Sequence, residues 1–188
     1  MHSAIRHTEE LIELLTKVKT ELADEIETLA RKMSETLKTG GKIVTMGNGG
    51  SAADAQHIAA EFVGRYKLNR RAMPALALNV NTSAITAIGN DFGYDEVFAR
   101  QIEAFAQQGD LVLAISTSGN SANIIKAVTA ARARQCYIAG LLGGSGGKLK
   151  ELVDLPIVIP SGNTPRIQEC HIHIAHIACE IAERENAS

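Results

Sequence analysis

Along residues 3–38 the apolar positions Ile5, Leu11, Ile12, Leu14, Leu15, Val18, Leu22, Ile26, Leu29, Met33 and Leu37 recur near the helical period, with Glu and Lys between them. That spacing predicts one long or two consecutive amphipathic helices. Gly40-Gly41 interrupts it, and Lys42–Met46 reads as a short buried strand. Short apolar runs and helical periods then alternate. The pattern predicts a helix over about 51–64, a strand over 75–79, a short helix near 83–88 and a longer one near 95–106. A strand at 111–116, a helix at 121–134, a strand at 136–142 and a brief helix around 148–152 follow, then a strand at 155–159 and a final helix from Thr164 to about Glu183.

Strands that alternate with helices call for a parallel sheet covered on both faces, because each parallel crossover needs a helix and each helix must bury a stripe. The expected class is α/β: a doubly wound, five-stranded parallel sheet of flavodoxin-like order, preceded by an N-terminal helical extension. Residues 1–39 form the extension and 40–188 the sheet domain, one structural unit overall; GGSGG at 143–147 is a turn, too short for a linker. In such sheets ligands bind beyond the carboxyl ends of the strands where the strand order reverses, here between the first and third strands.

Composition narrows the ligand. The chain of 188 residues is 45% hydrophobic, enough for one sizeable core, and its net charge of −2 offers no basic field for nucleic acid. An anionic ligand must therefore meet a local site, which suits a small phosphorylated molecule. Cys136, Cys170 and Cys179 are odd in number, sit in apolar contexts and lack C-x-x-C spacing, so they read as buried thiols of a reducing compartment. MHSAIRHTEELIELL has no apolar signal core, and no run of about 18 apolar residues occurs, so a cytoplasmic protein without membrane contact is expected.

Two small-residue loops follow the first and third predicted strands: GNGGSAADAQH at 47–57 and STSGNSAN at 116–123. Each feeds a helix, so backbone N–H groups and hydroxyls converge there, as phosphate or sugar oxygens require. Neither is a P-loop or a dinucleotide fingerprint. Taken singly, Ser51 and Ser121 are ordinary helix caps and the glycines ordinary turns. Together, Ser116, Thr117, Ser118 and Ser121 put four hydroxyls into six positions, more than one cap consumes. The 116–121 loop is the expected seat of a phosphate dianion, with the helix dipole behind it.

His57 and Glu61 are four apart on the next helix, a spacing that serves a shared metal or a surface hydrogen bond equally. RIQECHIHIAHIACE, residues 166–180, adds three histidines to an apolar helix. On a helical wheel Ile167, Ile174, Ile177 and Ile181 share the stripe expected on the sheet. Gln168, Ile172, His176, Cys179 and Glu180 lie roughly opposite, on a face that another helix or subunit should cover. His171 and His173 fall on the flanks and read as ordinary hydrogen-bonded or partly exposed histidines. Gln168 and His176 are separated by about 12 Å along the axis, so both must reach inward to meet, or different chains must supply them.

GNGGSAADAQHIAAEFVGRY, AIGNDFGYDEVFARQ, ISTSGNSANIIKA and RIQECHIHIAH, in this order, resemble the successive motifs of the bacterial phosphoheptose isomerases, a single-domain branch of the sugar isomerase (SIS) family. The likeness runs from about Gly40 to the C-terminus. It implies interconversion of sedoheptulose 7-phosphate and D-glycero-D-manno-heptose 7-phosphate through an enediolate, at the start of ADP- or GDP-heptose synthesis for lipopolysaccharide or related glycans. It also implies that Asn48, Gly49, Gly50, Asn90 and Asp91 contact substrate and that Ser116, Thr117, Ser118 and Ser121 hold the phosphate, with Ser51 helping. His57, Glu61, Gln168 and His176 would surround one zinc ion per subunit, Glu61 and Gln168 also meeting substrate, with Glu61 and His176 as proton-transfer groups. Glutamine is a weak zinc ligand, so an exchangeable ion is expected. The usual assembly is a homotetramer with active sites between subunits, in which the N-terminal helices pack. Pro165 stands where some members carry an acidic residue and is left out of the site. The same family contains non-catalytic relatives, a replication-initiator-associating protein and sugar-phosphate-sensing modules, which form the competing reading; the presence of Glu61, Gln168 and His176 favours the enzyme.

Overall fold

In the computed structural model, which describes residues 2–187, five strands form one all-parallel sheet in the order β2-β1-β3-β4-β5. The strands are β1 (Ile43–Gly47), β2 (Ala75–Ala77), β3 (Leu111–Ser116), β4 (Tyr137–Gly143) and β5 (Leu155–Ile159). Every residue of the central strands β1 and β3 is buried, because helices cover both faces. The edge strand β5 alternates between buried and half-buried positions and carries Pro156, which an edge tolerates because it lacks a neighbour on one side. Ile43 is in register with both Ala75 and Leu111, so β1 is the point from which the order runs in opposite directions.

The helices are α1 (Ser3–Glu21), α2 (Ala23–Lys38), α3 (Gly50–Val63), α4 (Thr82–Phe92), α5 (Ala99–Phe105), α6 (Ala122–Ala133) and α7 (Thr164–Asn186). One face of the sheet is covered by α1, α2, α3 and α7, whose Leu29, Met33, Ile58, Phe62, Ile167 and Ile174 pack on Ile43, Leu111, Leu113 and Ile157. On the other face Ile102, Ile124 and Val128 of α5 and α6 meet Val44, Met46, Val112 and Ile138. Leu29, Ala30 and Met33 of α2 are fully buried, so the second N-terminal helix is a wall of the core. The pattern over 3–38 resolves into two helices because Leu22, at φ −123°, breaks the helical backbone between them.

Two segments depart from the periodicity. The helix expected near 95–106 starts only at Ala99; Tyr94–Glu96 is a 3₁₀ turn entered from Gly93, whose φ of 92° stops α4. The segment Lys148–Glu151 is likewise 3₁₀. In α4 no residue is buried, although it carries Ile85, Ile88 and Phe92. Among the described residues no helix is long and apolar enough to cross a membrane.

The last helix corrects the wheel argument. Its buried set is Ile167, Cys170, His171, Ile174, Ala175, Ala178, Cys179, Ala182 and Glu183, wider than the isoleucine stripe, because α7 lies between α2 and α3 as well as on the sheet. Ile177 does not lie under the sheet: it lines a groove of about 430 Å³ with Leu15, Val18, Ile26 and His173. Cys179 needs no second subunit for cover, being 1% exposed within this chain.

Candidate functional site

The carboxyl ends of β1 and β3 adjoin, and the two small-residue loops leave from them. A reciprocal pair of side-chain hydrogen bonds joins them: Asn48 Nδ2 donates to Asn123 Oδ1 (2.9 Å) and Asn123 Nδ2 donates to Asn48 Oδ1 (2.9 Å). The Tyr94 hydroxyl adds a third contact, donating to Asn48 Oδ1 at 3.1 Å. Tyr94 stands just beyond Asn90 and Asp91, themselves linked by Asn90 Nδ2 donating to Asp91 Oδ1 (2.8 Å), so the end of α4 is fastened to the first loop. Neither Asn123 nor Tyr94 stood out in the sequence, because a pairing across 75 residues leaves no local mark.

The hydroxyls in these loops are not used up by capping. Ser121 occupies the N-cap position of α6 without a side-chain cap bond; its Oγ sits 3.1 Å from Ser116 Oγ. Ser51 is not a cap at all: Gly49, at φ 56°, holds that position, and Ser51 is buried in the first turn of α3. Thr117 and Ser118 line a cavity of about 290 Å³ with Gly143, Gly144, Ser161 and Thr164. Gly119 is required there, since its φ is 64° and a Cβ would strike the carbonyl oxygen of Gly146. Among the described residues no lysine or arginine lines this cavity, whereas Thr164 at the start of α7 does, so an anion there would be met by hydroxyls, backbone N–H groups and the positive end of α7.

The second cluster lies in the groove between α3 and α7, which run side by side in the same direction. At their starts the Gln168 amide presses on Gly50 so closely that a Cβ on Gly50 would collide with it. Two turns further along, His176 meets His57 and Glu61. His57 Nε2 is 2.8 Å from Glu61 Oε1 and 3.4 Å from His176 Nε2, with the two rings edge to face at 5.0 Å between centroids. One ligand atom from each of the three lies within 4.8 Å of the others. The tetrahedral spacing of ligand atoms around zinc is about 3.3 Å, so two imidazoles and a carboxylate at these separations fit such an ion in both geometry and chemistry. Of the four residues expected around a metal, the fold gathers three, while the Gln168 amide rests on Gly50.

Electrostatics separates the histidines of α7. The His176 pKa is lowered, first by burial and second by the neighbouring His57, with Glu61 opposing, so its imidazole is held toward the neutral form that can ligate or accept a proton. His171 is fully buried, donates through Nε2 to Leu142 O (2.9 Å), and has its pKa pushed down to about 4 by burial. His173 is exposed on the far side. Two groups beside the cluster escaped the sequence reading. Asp54 lies one turn before His57, its Oδ2 is buried and meets no donor among the described residues, and burial raises its pKa. The Tyr66 ring packs on His176 at 5.6 Å between centroids.

The SIS domain family matches residues 6–143. The phosphoheptose isomerase of Geobacter sulfurreducens is 53% identical over 172 residues, spanning 92% of this chain and 91% of that protein. That of Aliarcobacter butzleri is 54% identical over 173 residues, 92% of either chain. Among solved structures, the phosphoheptose isomerase of Neisseria gonorrhoeae superposes with a TM-score of 0.92 at 41% identity, covering 96% of this chain and 97% of that one. The Francisella tularensis enzyme gives 0.93 at 34% identity, covering 98% and 100%. The NanR protein of Vibrio vulnificus, solved with ManNAc-6P, shares the fold alone, at 14% identity and a TM-score of 0.70, covering 98% of this chain and 63% of that one.

Proposed function

The chain belongs to the SIS family and, within it, to the phosphoheptose isomerases, and from that premise we infer how its own residues carry out an aldose–ketose isomerisation of sedoheptulose 7-phosphate in heptose biosynthesis. The observation that carries the reading is the meeting of His57 and Glu61 with His176, more than a hundred residues on, in one groove beside the two small-residue loops at the strand-order reversal.

The reaction moves a proton between C1 and C2 of the sugar, with negative charge building on the two oxygens in between. Glu61 is the base that removes and returns the carbon-bound proton, a half-buried carboxylate within reach of a substrate lying in the groove. His176, kept neutral, exchanges protons with the C1 and C2 oxygens. His57, Glu61 and His176 would hold a zinc ion, and Gln168, whose amide lies two turns away on Gly50, would reach it as a weak fourth ligand only by leaving that contact or from a neighbouring subunit. The chemistry that ion supplies when bound is Lewis-acid stabilisation of charge on the substrate oxygens. Ser116, Thr117, Ser118 and Ser121 take the phosphate and Ser51 supports them. Asn48, Gly49, Gly50, Asn90, Asp91 and Gln168 contact the sugar. From Gly50 to His57 the helix advances about 10 Å, comparable to an extended seven-carbon phosphate.

The assembly is a homotetramer whose subunits close the sites. Support comes from the exposure of His57, at 48% of its side chain, and from the exposed apolar Val80 and Phe92 flanking and ending α4. The enzyme acts in the cytoplasm and supplies heptose for lipopolysaccharide or related glycans.

The test is direct. Purified protein supplied with zinc should convert sedoheptulose 7-phosphate to the aldose, followed by product chromatography, and chelation should slow it. Glu61→Gln should abolish turnover while circular dichroism and molecular mass stay unchanged. No turnover of any ketose phosphate with zinc present would overturn the reading, and tight sugar-phosphate binding without turnover would indicate a sensing module.

A further inference from the structure

Glu183 and Arg70 form a buried ion pair, with side chains 1% and 2% exposed and Arg70 Nε 3.0 Å from Glu183 Oε1. Removing two charges from water costs several kcal/mol per ion, and an apolar pair would seal a helix junction without that cost. The hydrogen bonds indicate what these charges accomplish. Glu183 accepts the backbone N–H groups of Tyr66 (2.8 Å), Lys67 (2.7 Å) and Leu68 (2.9 Å), so the loop after α3 is wrapped around one carboxylate of α7. The Arg70 guanidinium donates to the carbonyls of Glu61 (2.8 Å), Phe62 (2.8 Å) and Gly64 (3.1 Å), closing the carboxyl end of α3. Such carbonyls have no partner within their own helix.

The positions of these contacts matter. Glu61, proposed above as the base, is itself one of the residues whose carbonyl Arg70 grips. Glu183 lies two turns beyond His176 on the same face of α7, and the loop it wraps carries Tyr66, whose ring packs on the His176 imidazole with 34° between the planes. The ion pair therefore ties the helix carrying Glu61 to the helix carrying His176 at a point close to both.

We propose that Glu183 and Arg70 are positioning residues that set the separation of Glu61 from His176, and that Tyr66, held by them, fixes the orientation of the His176 ring. This rests on the isomerase reading. It assigns a role in the reaction to a buried pair that touches neither substrate nor metal. The hydroxyl loops lie at the opposite end of α3, so phosphate recognition should be independent of the pair.

The experiment compares wild type with Glu183→Gln, Arg70→Lys, Tyr66→Phe and Tyr66→Ala, all assayed well below their melting temperatures. Groups supporting metal ligands typically contribute ten- to a hundredfold to affinity or rate. Glu183→Gln and Arg70→Lys should lower kcat by about ten- to a hundredfold and weaken zinc by a similar factor, measured on metal-free protein by competition with a chromophoric chelator. KM for sedoheptulose 7-phosphate should stay within about twofold, because the phosphate loops are untouched. Tyr66→Phe should resemble wild type, and Tyr66→Ala should lose activity in the same way as the ion-pair variants. If the variants melt at lower temperature but keep wild-type kcat and zinc affinity, the pair is structural only and the proposal falls. Should Glu183→Gln not fold, Arg70→Lys and Tyr66→Ala carry the same test. A wild-type protein without turnover defeats the isomerase reading, and the zinc affinities then still decide whether the pair positions the cluster.

Discussion

His171 gives the fold a dependence on pH whose size follows from its surroundings. It is 0% exposed, its Nε2 hydrogen is spent on Leu142 O, and its Nδ1 meets no partner among the described residues. Protonation would place a charge and a second N–H where neither can be satisfied, which is why its pKa falls from 6.5 to about 4. In the unfolded chain the ring binds a proton as the pH drops through 6.5, whereas in the native state it stays neutral until about 4. Between those values the unfolded state holds the extra proton, so native stability declines as the pH falls and is constant above the unfolded value. The loss is about 2 kcal/mol by pH 5 and about 3 kcal/mol by pH 4. His171→Gln keeps a side-chain amide able to donate to Leu142 O and removes the titration. Urea unfolding at fixed protein concentration, followed by circular dichroism at pH 7, 6 and 5, isolates the effect as the difference between wild type and variant. The wild-type advantage should shrink by about 2 kcal/mol from pH 7 to pH 5. A difference that stays constant, or that grows toward acid, refutes the assignment of His171 as a neutral core histidine.

Gly50→Ala should leave the fold intact and impair the site. The added methyl displaces the flexible Gln168 amide rather than backbone, so melting temperature should hold while zinc affinity and kcat drop by about tenfold; unchanged kinetics would remove Gln168 from the site. Burial pushes the thiols of Cys136 and Cys170 up to about 11 and that of Cys179 to about 12. Native protein at pH 8 should therefore resist iodoacetamide over an hour by intact mass, with modification of all three once urea is added; rapid native labelling of Cys179 would contradict its place beneath the α3–α7 contact.

Most of what was legible in the sequence was local. Strands β3 and β5 fall where their apolar runs begin and end, and the small-residue loops stand at the ends of the strands where the order reverses. Local backbone physics suffices for this: a buried strand reads as a continuous apolar run, an amphipathic helix as a period near 3.6, and a turn as glycine and short polar residues. The motifs were legible for the same reason, since each is contiguous. What was misread depends on neighbours. Ile177 looked like a sheet contact because a wheel supplies an angle and not the helix that lies at that angle; α7 is flanked by α2 as well as by α3, and the stripe divides among them.

The sequence by itself determined the order of elements, the parallel sheet they must form, and the residue types able to bind phosphate, ligate a metal and move a proton. The tertiary structure alone decided which of them act together. His57 meets His176 across 119 residues, Asn48 meets Asn123 across 75, and Glu183 gathers the loop beginning at Tyr66 across 117. The physical reason is that side-chain chemistry is carried by single residues, whereas ligand spacing, burial and the resulting pKa are properties of neighbours. His171 and His176 lie on one helix with similar flanking residues, and only the packing of α7 makes one a neutral core group and the other a partner of Glu61.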